Sequence, residues 1–223
     1  MVLPRTDVVE GTPDALDRFE GLLRSLSAEE WATPTRCTGW TVADVAAHVV
    51  GNVSLIATGR VGDFADPSHV EREVGLRKGR TPDQLADELH EAGKVVADLL
   101  AAFDDDAWNG PPPVAIPGTL GQGVEAIWHD AYVHAEDIRQ AIGRPADRDD
   151  PGLRVAVSHV ADTLDQQGWR PATIALDGMP EFPVSGGGDR ITGDPYEFVM
   201  AGTGRADPAP LGLDETVNIY RPQ

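Results

Sequence analysis

Up to about residue 165 the apolar side chains recur at helical spacing. Leu16, Phe19, Leu22, Leu23 and Leu26 share one face of a helix, because residues three and four apart lie above one another. The start of that helix is read at Thr12-Pro13, a hydroxyl cap followed by a proline that needs no backbone donor. A second stripe, Val42, Val45, Ala46, Val49, Val53 and Ile56, opens at Thr41, with Asp44 three residues on in a capping-box pattern. Thr81-Pro82 opens a third, carrying Leu85, Leu89, Val96, Leu99, Leu100 and Phe103. After an Asp-, Gly- and Pro-rich loop over 104–118, a fourth helix is predicted from Leu120 to Ile142, stopped by Gly143 and Pro145. A fifth pattern covers Leu153 to Leu164. Amphipathic helices of this length predict a helical bundle over residues 1–168.

Beyond Gly168 the pattern changes. Ala172–Leu176 and Thr216–Tyr220 have strand composition, and Gly186-Gly187-Gly188 reads as a hairpin turn between strands. Asp194-Pro195 opens a short helix that leads into Gly202-Thr203-Gly204-Arg205. Residues 169–223 therefore read as a small α+β domain, and the fold class as mainly α.

Composition narrows the function classes. The chain has 223 residues, 37 acidic against 18 basic side chains and a formal charge of −19. Such a surface repels phosphates, which speaks against nucleic acid and anionic membranes as partners. No apolar run approaches the roughly 18 residues of a membrane-spanning helix. Acidic residues interrupt the N-terminus before an apolar leader core can form. A single cysteine allows no intrachain disulfide and suits a reducing compartment. The expectation is a soluble, acidic, cytoplasmic protein, its oligomeric state left open.

Three polar side chains stand where a bundle does not require them: His48 in the second helix, and Asp130 and His134 in the fourth. Four residues rotate a helix by about 400°, so Asp130 and His134 project from nearly one face. Both flank the apolar stripe, as His48 flanks its own. Imidazole and carboxylate are ligands for divalent metals, and three protein ligands leave a position open, as in catalytic zinc sites. The bland alternative is a set of helix-edge histidines bonded to carbonyls. On the same helical wheel, His129 points away from the stripe and is expected at the surface. Asp137 reads either as a carboxylate behind a ligand imidazole or as the partner of Arg139. Cys37 reads as a small buried hydrophobe and Trp40 as packing at the start of the second helix.

The residues Arg36-Cys37-Thr-Gly39-Trp40-Thr41-Val-Ala-Asp44-Val-Ala-Ala-His48 resemble the signature of the mycothiol-dependent maleylpyruvate isomerase family, among the DinB-like metal-binding four-helix bundles. His134-Ala-Glu-Asp137-Ile-Arg139-Gln-Ala-Ile-Gly143-Arg-Pro145 is similar to the second motif of that family, and the segment from Gly193 to Gly204-Arg205 to its C-terminal one. The resemblance implies His48, Asp130 and His134 as ligands of a divalent metal, zinc first, and mycothiol or a similar low-molecular-weight thiol as cofactor. It implies that Arg205 joins the site as a catalytic residue, and a guanidinium there could hold a substrate carboxylate by two parallel bonds. The isomerases carry glutamate where this chain has Asp130. Isomerisation through thiol addition, bond rotation and elimination is the implied activity. A thiol S-transferase and a noncatalytic metal- or ligand-binding protein are the alternatives.

Overall fold

The structure, a computed structural model, describes residues 3–113 and 118–221. Two compact units divide between Asp147 and Arg148, about 20 residues before the boundary expected from composition.

In the first unit four long helices form the bundle: α1 (Arg5–Arg24), α3 (Val42–Ala57), α5 (Pro82–Ala102) and α7 (Leu120–Ala141). Helices α1 and α3 each pack against both α5 and α7. Three shorter helices connect them: α2 (Ala28–Trp31), α4 (His69–Leu76) and α6 (Asp105–Asn109). The starts of three long helices are written in the sequence. Thr41, Thr81 and Thr119 each accept the backbone N–H three residues on, and the side chains of Asp44, Gln84 and Gln122 bond back to the cap. Each box satisfies two of the backbone donors that a helix start leaves open.

Helix α1 departs from expectation. It starts at Arg5, with Thr12 and Pro13 in its interior. Pro13 withholds one helical hydrogen bond, and the Thr12 hydroxyl turns back to donate to the Val8 carbonyl at 2.7 Å. Burial of Val8 extends the apolar stripe upstream and outweighs the proline. Close helix approach adds to this: a Cβ at Gly11 would stand 2.0 Å from the Trp128 ring of α7. Of the loop expected over 104–118, residues 105–109 form α6, and 114–117 lie outside the described residues.

The second unit holds α8 (Gly152–Gln166), a three-stranded sheet and α9 (Pro195–Gly202). The fifth helical pattern, expected in the bundle, thus packs as α8 against α9 and the sheet. The sheet order is β2-β1-β3, with β1 (Ala172–Leu176) antiparallel to β2 (Phe182–Val184) and parallel to β3 (Asp189–Gly193). Strand β2 holds Pro183, whose missing N–H an edge position tolerates. The triple glycine does not close a hairpin. It carries the chain from β2 past the start of β1 to β3, and a Cβ at Gly188 would meet the Pro171 carbonyl at 2.5 Å. Thr216–Tyr220 is likewise not a strand. Asp214 caps a 3₁₀ turn, Glu215–Val217, by accepting the Thr216 N–H, and this local bond overrides β-branched composition.

Candidate metal centre

Helices α3 and α7 pack against each other and bring His48, Asp130 and His134 together. One ligand-capable atom from each lies within 4.8 Å of the others. Asp130 Oδ1 stands 3.4 Å from His48 Nε2 and 3.4 Å from His134 Nε2. The imidazole rings meet edge to face, with centroids 5.0 Å apart. Two ligands bound to one tetrahedral zinc at about 2.0–2.1 Å stand about 3.3 Å apart, so the spacing suits a shared ion. Both imidazoles are nearly buried, while the Asp130 side chain keeps 25% of its surface exposed. The donor set fits a divalent cation, and the partly open Asp130 leaves it one accessible side.

The electrostatics fit too. Burial disfavours charge on Asp130, but the imidazoles of His48 and His134 hold its carboxyl well below the ordinary carboxylate range. Burial likewise opposes charge on His134. The Asp130 charge, and hydrogen bonding of the ring with the Asp130, Asp137 and Cys37 side chains, raise its imidazole well above the ordinary value.

Behind His134 lies a second carboxylate. His134 Nδ1 donates to Asp137 Oδ2 at 2.8 Å, which directs the Nε2 face toward Asp130. Asp137 is wholly buried and also accepts from Cys37 Sγ at 3.2 Å. The Arg36 guanidinium pairs with its other oxygen at 3.2 Å. Asp137 therefore has both roles foreseen for a carboxylate here, but its cation is Arg36; Arg139 pairs with Glu136 and Asp147 instead. Arg36 and Cys37 reach it from a tight loop before α3. Thr35 N donates to the Trp40 carbonyl, Val42 N to Thr33, and Gly39 takes the left-handed conformation at φ 84°. Cys37 is half-buried and serves as a donor, where the sequence suggested an inert hydrophobe.

Two residues of the site were not foreseen. Trp40, expected only to pack at the helix start, places its ring 5.3 Å from that of His48. Asn52, one turn after His48, donates from Nδ2 to Asp130 Oδ2 at 3.2 Å. The i, i+4 spacing of His48 and Asn52 was the available signal. His129 is a correction: it is 1% exposed, not at the surface. Helix α7 packs against α1, α3 and α6, so Trp128 to Ile138 are buried apart from Asp130, and a single-stripe wheel does not describe it.

Arg205 lies in the second unit, just past α9. Gly204 turns left-handed at φ 69°, and Arg205 N donates back to Met200 O at 2.7 Å, closing the helix end. Its side chain is half-buried, with Nη1 donating to Thr203 O at 3.3 Å.

Comparison with known proteins follows this geometry. The sequence profile of the mycothiol maleylpyruvate isomerase N-terminal domain matches residues 12–139. Among curated proteins, the chain is 28% identical to uncharacterized protein Rv0738 of Mycobacterium tuberculosis over 142 residues, 63% of this chain and 70% of that one. It is 27% identical to uncharacterized protein Rv0036c of the same organism over 147 residues, 58% of this chain and 55% of that one. Among solved structures, the crystal structure of the mycothiol-dependent maleylpyruvate isomerase superposes with a TM-score of 0.67 at 18% identity, covering 92% of this chain and 90% of that chain. A histidine-to-alanine variant of that enzyme superposes with a TM-score of 0.63.

Proposed function

Since the chain belongs to the mycothiol maleylpyruvate isomerase N-terminal domain family, we propose that it is a metal-dependent enzyme using a small thiol, mycothiol by family, on an electrophilic small molecule. The observation that carries this is the convergence of His48 Nε2, Asp130 Oδ1 and His134 Nε2 around one point. A divalent ion held there would lower the pKa of a thiol at its open position. His48 and His134 supply neutral imidazoles, and Asp130 supplies the negative charge. Asp137 takes the Nδ1 proton of His134 in a hydrogen bond and so keeps Nε2 turned toward the ion.

In the isomerase reading, a thiolate sulfur bonds to one carbon of a conjugated double bond. The former double bond then rotates as a single bond, and elimination expels the thiol unchanged. Arg205 is the group we assign to a substrate carboxylate, through two parallel N–H···O bonds. A thiol S-transferase is the second reading, because the resemblance implies glutamate in the isomerases at the position of Asp130, and that departure weakens the isomerase reading more than it weakens metal binding. In that case the thioether product is released and the thiol is consumed.

Elemental analysis of untagged protein tests the metal, and thiol consumption across a panel of α,β-unsaturated acids tests the chemistry. We expect about one divalent ion per chain. Substrate turnover without net thiol loss supports the isomerase, and stoichiometric thiol loss supports the transferase. Metal-free protein that is inert across the panel would overturn both readings.

A further inference from the structure

The two ligand imidazoles are supported unequally. His134 Nδ1 is fixed by the buried Asp137 carboxylate. His48 Nδ1 is buried with no hydrogen-bond partner among the described residues, so nothing on the far side of that ring sets which nitrogen carries the proton. On the near side one neutral donor approaches. Asn52 Nδ2 stands 3.4 Å from His48 Nε2 and 3.2 Å from Asp130 Oδ2. Asp130 fixes the orientation of this amide, because the flipped form would press its carbonyl oxygen against a carboxylate.

An amide nitrogen has two hydrogens and no lone pair to offer. One hydrogen holds Asp130 Oδ2, which leaves Oδ1 facing the imidazoles. The same nitrogen stands 3.4 Å from His48 Nε2, which itself lies 3.4 Å from Asp130 Oδ1. Aspartate is one methylene shorter than glutamate, so its reach to a shared ion depends more on which way the carboxylate is turned.

We propose that Asn52 is a positioning residue for the metal centre. It pins Asp130 Oδ2 so that Oδ1 alone is presented to the imidazoles, as Asp137 orients His134 from behind. The proposal rests on His48, Asp130 and His134 being the ligands.

The test is equilibrium Co²⁺ titration of the full chain, read by its visible d–d bands, in wild type, Asn52→Leu, Asn52→Ala, Asp130→Glu and the Asp130→Glu/Asn52→Leu double variant. Circular dichroism checks that each variant is helical, and Asn52→Ala serves if the leucine misfolds. The expected result is affinity lower by about 10–100-fold in the Asn52 variants, the usual cost of losing a group that orients a ligand. The bands should also shift, because a freed carboxylate can swing to bind through both oxygens. In the Asp130→Glu background the loss from Asn52→Leu should shrink, since the longer arm moves the carboxylate off the amide. Wild-type affinity and bands in both Asn52 variants would overturn the proposal while leaving the metal centre standing. So would an equal loss in the Asp130 and Glu backgrounds. Wild type that takes up no cobalt would remove the ligand assignment and this proposal with it.

Discussion

Two polar clusters of the bundle are built on opposite plans. On α4 and α5, Glu73 is 2% exposed and pairs with Arg77 at 2.9 Å; Arg77 also bonds Glu88, which takes a further guanidinium from Arg80. That cluster brings its own cations. On α3 and α7, His48, Asp130 and His134 present three lone-pair groups and no arginine or lysine. A neutral side chain that donates to Asp130 is the Asn52 amide. A buried charge is tolerated when paired, so a cluster that supplies its own counter-ions is complete as a structural element. In the α3–α7 cluster the positive charge facing Asp130 can come from a proton on an imidazole, and a metal ion would compete with that proton for the same position.

Mutation separates the two plans most sharply at the ligands. His48→Ala or His134→Ala should leave protein that purifies nearly metal-free yet keeps its helical content. Asp130→Ala should bind more weakly than wild type, and Asp130→Glu should retain the ion. Elemental analysis and Co²⁺ titration decide this, and full occupancy in both histidine variants would sink the ligand assignment. Thiol added to the Co²⁺ protein should give a sulfur-to-metal charge-transfer band, whose absence at full occupancy would remove the thiol chemistry alone.

The converse change lies in the other cluster. Arg77→Met leaves the buried Glu73 with only its longer contacts to the more exposed Arg60 at 3.4 Å and Arg72 at 3.9 Å, and should cost up to about 3–5 kcal/mol in chemical denaturation. Metal content at full folding should be unchanged. A loss under about 1 kcal/mol, as for exposed pairs, would mean that water replaces the guanidinium.

The pH response should also differ between metal-free and loaded protein. His134 has a raised pKa, so its contribution to metal-free stability is complete below about 6.5 and is lost as pH climbs through the raised value. Asp130 has a lowered one, so its contribution is complete above about 4 and is lost only in strong acid. A metal must displace the His134 proton. Affinity should therefore begin to fall at a pH above the ordinary imidazole value, not only below about 6 as an unperturbed histidine would give. Metal titrations between pH 5 and 9 read this directly, and a flat profile to pH 6 would contradict the coupled pair. The smallest effect concerns the second unit: Arg205→Ala should weaken use of carboxylate substrates with metal content unchanged, and unaltered turnover would return Arg205 to a helix-end role.

Much of this was legible in the chain because it is local. Thr41 with Asp44, Thr81 with Gln84, and Gly143 after the fourth stripe set helix ends through bonds spanning three or four residues, which sequence spacing encodes directly. The one-turn offset of Asp130 and His134 is local too. Tertiary packing decided the rest. His129 went inside because α7 is covered on several sides, and a helical wheel assumes one buried face. Pro13 stayed within α1 because burying Val8 and the Gly11–Trp128 approach outweigh a missing hydrogen bond. Arg36 displaced Arg139 as the cation on Asp137, and Asn52 reached Asp130, because both pairs join segments far apart in the chain. Spacing along a helix fixes which side chains share a face. Which groups meet across the gap between helices depends on how those helices pack, and no stretch of sequence states that by itself.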